Sequence, residues 1–232
     1  GEAVADPYAM FAETFPCARV RLFVNPLRRG GMITDLMYVT ELSREYRAHG
    51  GSIMLDLQYS DIWADPKQQT MPKDWKNLSF DELRQKVYDH TFEAVKTVKP
   101  RYVQIGNEIT AGMLWDQGKV INPFDTVDGK ADLTEDPAAW QRLGELLKSG
   151  IAGAKAADPE VKIILHIDQG GNHRICQWFF EHIAAQNVGY DYIGLSYYPF
   201  WHGSLSDLRQ NIGELHQHFG KEIFIVETAQ PY

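Results

Sequence analysis

Two glutamates carry the strongest chemical signal in this chain. Glu108 follows the apolar run Tyr102-Val103-Gln104-Ile105, and Glu227 follows Ile223-Phe224-Ile225-Val226. A carboxylate at the end of an apolar strand is costly to bury unless it is paired or working. A pair of them suits glycoside hydrolysis, in which one carboxyl is a protonated acid and the other an ionised nucleophile or base. Arg21 lies on a nearby strand and is the candidate cation to hold one of them ionised. The alternative is that both glutamates are structural partners of Arg19 and Arg21. Other strand ends are polar too: Asp56 to Asp61 with Trp63 beyond, His166 and Asp168, then Ser196-Tyr197-Tyr198 with Trp201 and His202. Polar groups recurring at one end of nearly every strand predict a cleft there.

Competing chemistries have weaker support. His166, Asp168 and His173 lie close in sequence but lack the spacing of a zinc motif, so no metal site is expected. No G-x-S-x-G surrounds any serine, and no Gly-rich phosphate turn follows the first strand.

The elements that must position these residues alternate β and α. Strands are predicted at 18–24, 52–57, 102–106, 161–166, 192–196 and 222–226. Helices are predicted at 34–49, 79–98, 137–157, 172–186 and 205–219, with Thr34 as an N-cap and Ser79-x-x-Glu82 as a capping box. A partial helix, 6–15, precedes them. This is the signature of parallel βαβ units in one domain, and both an open doubly wound sheet and a TIM barrel fit it. The long loops, rich in Asp, Trp and Pro, follow the strands, which favours the barrel, whose active site lies on that face.

The 232 residues suffice for one large domain, with a net charge of −8. Without a basic run, nucleic acid and anionic membrane are poor partners. No apolar stretch reaches the ~20 residues of a membrane span. Cys17 and Cys176 form no framework. Aromatics make up 12% of the chain, which suits either a well-filled core or a cleft where sugar faces stack.

Several long segments resemble glycoside hydrolase family 53, the endo-β-1,4-galactanases: RVRLFVNP (19–26), LDLQYSDIWADPKQQ (55–69), IGNEITAGMLWDQGK (105–119), HIDQGG (166–171), IGLSYYPFWHG (193–203) and VETAQPY (226–232). The resemblance spans nearly the whole chain. It implies a (β/α)8 barrel whose first and eighth strands are absent from this sequence, and hence a biological chain longer at both ends. It implies a retaining endo-acting hydrolase of β-1,4-galactan in pectin side chains, with Glu108 as acid/base, Glu227 as nucleophile, Asn107 on the sugar 2-hydroxyl, and Tyr198 or its neighbour Tyr197 supporting the nucleophile. Asp61, Trp63, Asp168 and Trp201 are the loop residues expected to read the sugar, with His166 and His202 beside them. No cofactor is required; the loop that binds calcium in some bacterial members lies outside the sequence. The expected partner is the polysaccharide, the expected state a monomer, and the expected location extracellular or periplasmic, because a polymer cannot cross a membrane intact. Three departures bear on subsites: Gln58 replaces a usual His, and Gly171 and Gln230 replace frequent aromatics. A mannanase or glucanase of the same clan, or a non-catalytic galactan-binding barrel, are the competing readings.

Overall fold

The computed structural model describes residues 6–121, 126–127, 130–131 and 136–229. Six strands form one sheet: β1 (Cys17–Leu22), β2 (Ser52–Leu57), β3 (Tyr102–Ile105), β4 (Lys162–Ile167), β5 (Tyr192–Tyr197) and β6 (Glu222–Thr228). They are all parallel and pair in chain order. The helices are α1 (Pro7–Thr14), α2 (Leu36–Ala48), α3 (Phe80–Val98), α4 (Pro137–Ala157), α5 (His173–Ala185) and α6 (Leu205–Phe219). Parallel strands covered on both faces read as apolar runs, as in Ile163-Ile164-Leu165 and Leu55, all essentially inaccessible to solvent.

The sheet curls. Six strands laid flat would set β1 and β6 about 24 Å apart. Instead Arg19 of β1 and Glu227 of β6 are 3.2 Å apart, and the Tyr102 ring of β3 meets Phe224 of β6 with centroids 5.4 Å apart. The strands thus enclose an interior, as the barrel reading requires. Among the described residues β1 and β6 remain the two edges of the sheet and do not pair with each other.

Local sequence explains most boundaries. Ser79 and Glu82 make the reciprocal capping box at α3. Lys99 ends that helix in the left-handed region, since a residue before proline disfavours the helical one. One expectation is corrected: Asp35, not Thr34, caps α2. Its carboxylate accepts the Tyr38 N–H, while the Thr34 backbone carbonyl accepts from Phe23 N–H.

The most consequential irregularity is in β6. Ile225 pairs with Leu195 and Glu227 with Ser196, so Val226 is an extra residue on this strand. Side chains alternate between the faces of a strand, and Phe224, paired with Gly194, already points inward. Simple alternation would turn Val226 inward and Glu227 out. The bulge moves Glu227 into register with Ser196 and onto the inner face.

On the outer layer, α3 and α4 pack tightly through small residues. A Cβ at Gly153 would sit 2.3 Å from the Tyr88 carbonyl oxygen. Alanine is the better helix former by about 1 kcal/mol, whereas overpacking costs about 1–3 kcal/mol. The clash is with backbone, so the larger value governs. Gly153→Ala is expected to lower the melting temperature, measured by circular dichroism, despite its gain in propensity.

Candidate active site

The turn after β3 sets the first carboxyl. Gly106 (φ 88°) and Glu108 (φ 49°) both adopt left-handed conformations. For a non-glycine residue this costs on the order of 1 kcal/mol or more. Gln69 offsets it: its buried amide donates to the carbonyls of Asn107 (2.8 Å) and Glu108 (3.3 Å). The Glu108 side chain is 8% exposed. Its Oε1 accepts from the Ser196 hydroxyl at 2.5 Å. Burial, then the nearby Asp168, push its carboxyl up to about 8.

The second carboxyl has the opposite surroundings. Glu227 Oε2 lies 3.2 Å from Arg19 Nη1 and 3.7 Å from Arg21 Nη2. Its Oε1 accepts from the Tyr198 hydroxyl at 2.6 Å. Burial, and the bond to this carboxylate, hold the Tyr198 phenol above its ordinary range. Both glutamates line one cavity of about 500 Å³, together with Asp65, Lys67, Asp168, Gln169, Tyr198, Trp201 and His202.

Beneath the cavity floor Arg19 joins the strands. Its Nε donates to Gln104 Oε1 (2.6 Å) and its Nη2 to Asn107 Oδ1 (2.7 Å), and Nη2 is ion-paired with Asp56 Oδ2 at 3.0 Å. Gln58 donates to the same Asp56 oxygen at 2.7 Å and accepts from the Ala64 N–H. His166 is fully buried, with Nε2 2.9 Å from Ser196 Oγ and Nδ1 3.1 Å from Asn107 Oδ1. Burial, then Arg19 and Arg21, drive it well below its ordinary value, so the ring is neutral. Asp168 accepts from the hydroxyl of Thr110 and, at 2.5 Å, from Gln169. Burial raises its carboxyl as well.

The structure therefore gathers Glu108, Glu227, Asp168, Tyr198, Trp201 and His202 around one cavity, with Asn107 and His166 behind the first. It also decides between the adjacent tyrosines: Tyr198 reaches Glu227, while Tyr197 donates to the Gly203 carbonyl. Two expectations are corrected in placement. Asp61 accepts the backbone N–H groups of Asn25 and Lys73, tying two loops together away from the cavity lining. Trp63 stacks edge-on with Phe23 beneath Arg21, 5.0 Å from its guanidinium, and lines a different hollow. Arg21 does face Glu227, but Arg19 is closer and more buried. His173 turns to Asn211 and Glu214, away from His166 and Asp168. Gly171 has a steric reason: a Cβ there would lie 1.7 Å from the His202 carbonyl oxygen, so no aromatic fits while that loop stays in place. Gln230 lies outside the described residues. Sequence reasoning passed over Ser196, Gln104 and Gln69 as site residues. The only available signal was a polar residue at an inward strand position or just after a strand. No helix among the described residues is long and apolar enough to cross a membrane.

Comparison with known proteins agrees with this geometry. The profile of glycosyl hydrolase family 53 matches residues 4–232. A Niallia circulans protein from the bgaB 5′ region is 41% identical over 219 residues, covering 92% of this chain and 57% of its own length. The arabinogalactan endo-β-1,4-galactanase of Thermothelomyces thermophilus is 32% identical over 226 residues, covering 92% of this chain and 62% of its own. Among solved structures, the Ignisphaera aggregans family 53 catalytic domain superposes with a TM-score of 0.84 at 32% identity, over 97% of this chain and 60% of that one. The chain thus spans less than two thirds of the length of these relatives.

A buried acid held at about 8 against an ordinary 4.5 opposes folding where the unfolded carboxyl would ionise. Between those values the folded state binds more protons, so stability falls as pH rises from about 4.5 and levels off above about 8. Glu108→Gln removes this penalty. Its melting temperature is expected to match the parent at low pH and to exceed it by several degrees above pH 8, measured by calorimetry across the range.

Proposed function

The chain belongs to glycosyl hydrolase family 53, and from that premise we propose that it is a retaining glycoside hydrolase cleaving β-1,4-galactosidic bonds within galactan and type I arabinogalactan, the side chains of pectin. The observation that carries the reading is the divergence of two carboxyls in one cavity. Glu108 is held protonated by burial beside Asp168, whereas Glu227 faces two guanidiniums and accepts from a phenol. A raised carboxyl beside one that faces cations assigns the first as the acid and the second as the nucleophile.

The steps follow from that assignment. Glu227 attacks the anomeric carbon while Glu108 gives its proton to the leaving glycosidic oxygen. A glycosyl-enzyme ester forms on Glu227, and Arg19 and Tyr198 lose a charged partner. Glu108, now ionised, takes a proton from water, which opens the ester with net retention. The proton count is restored in each cycle. Trp201, 74% exposed, packs with Phe200 and Tyr198 at the rim and offers an apolar face to a sugar ring. Asn107, whose carbonyl oxygen is fixed by Arg19, is assigned to the sugar 2-hydroxyl. The endo action on galactan draws on the names of the fungal relatives. A polymeric substrate implies action outside the cytoplasm, by a monomer that needs no cofactor.

The test is a panel of galactan, mannan and β-glucan with reducing-sugar release as the readout. Galactan alone is expected to be cut, and mannan or β-glucan as the preferred polymer would overturn the substrate assignment. Glu227→Gln is expected to lose at least a thousandfold in kcat and still bind galactan. For the parent, kcat/KM is expected to fall as pH rises through about 8, because the leaving oxygen then lacks its acid. A basic limb near the ordinary carboxylate range would count against Glu108 as the acid.

A further inference from the structure

The two glutamates are joined by one unbroken line of hydrogen-bonding groups: Glu108 Oε1, Ser196 Oγ, His166 Nε2 and Nδ1, Asn107 Oδ1, Arg19, and Glu227 Oε2. Its middle is constrained by proton counting. Ser196 has one proton to donate. His166 is buried and neutral, so it carries one ring proton. Asn107 Oδ1 accepts from Arg19, and the Asn107 amide nitrogen donates to the Ala64 carbonyl at 2.7 Å. That fixes the oxygen toward His166 Nδ1.

When Glu108 is ionised it can only accept, so Ser196 must donate to it. Ser196 Oγ then accepts from His166, which places the ring proton on Nε2. Nδ1 is left bare against Asn107 Oδ1, with the backbone N–H of Glu108 at 3.4 Å as its one donor. When the proton of Glu108 rests on Oε1 the order reverses, whereas a proton on Oε2 leaves Oε1 an acceptor. In the reversed order the Oε1–H donates to Ser196 Oγ, Ser196 donates to His166 Nε2, and the ring proton sits on Nδ1, donating to Asn107 Oδ1. One proton is taken up at the carboxyl, and the single ring proton changes nitrogen.

We propose that Ser196 and His166 are positioning residues forming a reversible relay, in which the tautomer of His166 follows the protonation state of Glu108. The proposal rests on the reading of Glu108 as the acid/base. It goes beyond that reading by giving the carboxyl a partner in Ser196 in each form it takes in a cycle. Ser196 is completely buried and has no other partner for its hydroxyl than these two side chains among the described residues. The charged groups facing Glu108 and His166 are Asp168, Glu227, Asp65, Arg19 and Arg21, with Tyr198 also near. None of them donates to or accepts from either the Ser196 hydroxyl or His166 Nε2.

The ring nitrogens of His166 report the tautomer directly by ¹⁵N NMR in the parent protein. Their pattern is expected to exchange, Nδ1 protonated below and Nε2 protonated above, with the midpoint of the basic limb of kcat/KM on galactan. A His166 ring that keeps one tautomer across that limb overturns the proposal. In Glu108→Gln the exchange is expected to vanish; its persistence would show that another group drives it and would likewise overturn it. In Ser196→Ala the ionised carboxyl loses a charge-assisted donor, worth more than the neutral bond lost with it. The basic limb is expected to move up by about half a pH unit or more. A loss of activity with the limb unmoved would mark Ser196 as structural and refute the relay. Full galactanase activity in Glu108→Gln would instead sink the acid/base assignment, while the NMR exchange in the parent still judges the relay.

Discussion

The guanidinium of Arg19 is the constraint on which the rest depends. It sits on β1, yet it reaches Asp56 on β2, Gln104 on β3, Asn107 just beyond β3 and Glu227 on β6. A lysine would offer a point charge, whereas the planar fork of arginine supplies donors in several directions at once. These contacts tie side chains of the two edge strands together across the curled sheet, so the chemistry and the curvature share one side chain. Arg19 is mostly buried, and an ion taken out of water must be repaid by good geometry. Asp56 shows how tightly the balance is drawn: one carboxylate oxygen serves Arg19 and Gln58, while the other has no partner. Gln58 belongs to this supporting layer rather than to the cavity wall.

The layer above divides charge unequally. The cations lie on the β1 side, beside Glu227. The far side holds Asp168 and a neutral His166, beside Glu108. The separation arises from strand order, because side chains of the two edge strands, β1 and β6, meet across the interior while Glu108 and His166 come from the middle strands β3 and β4. One carboxyl is therefore met by guanidinium and phenol, and the other by a single hydroxyl. Such a site works against the stability of its own fold, as active sites often do. The large apolar layer between the sheet and its helices, with the tight α3–α4 seam, supplies the surplus that makes it tolerable.

Much of this could be read from the chain. Four parallel strands and three helices begin or end where the alternation of apolar runs and caps places them, because a strand buried on both faces and a capping box are local signals. The end-of-strand polar residues gave the site's location for the same reason. What escaped was long-range. Nothing near Asp61 reveals that its carboxylate is consumed by the N–H groups of Asn25 and Lys73. Tyr197 and Tyr198 are indistinguishable in sequence, since only the register of β5 against β6 says which hydroxyl meets Glu227. Arg19 and Arg21 share one face, and depth along the strand, not residue type, made the former the hub. Thr34 and Asp35 are both good caps, and the choice fell to the backbone carbonyl that Phe23 engages.

Register also explains why the second glutamate is usable at all. In a sheet of period two, Phe224 and Glu227 differ by three positions and belong on opposite faces. Phe224 is needed inside, where its ring completes a half-buried cluster with Tyr102 and Tyr192 at the N-terminal end of the strands. Glu227 is needed inside as well, against Arg19. Both cannot be met by a regular strand, and the extra residue at Val226 resolves the conflict. It spends one unit of strand length to change face between the apolar layer and the charged one. The bulge is then not a defect in an edge strand but the device that lets a single strand serve the packing of the core below and the chemistry of the cleft above.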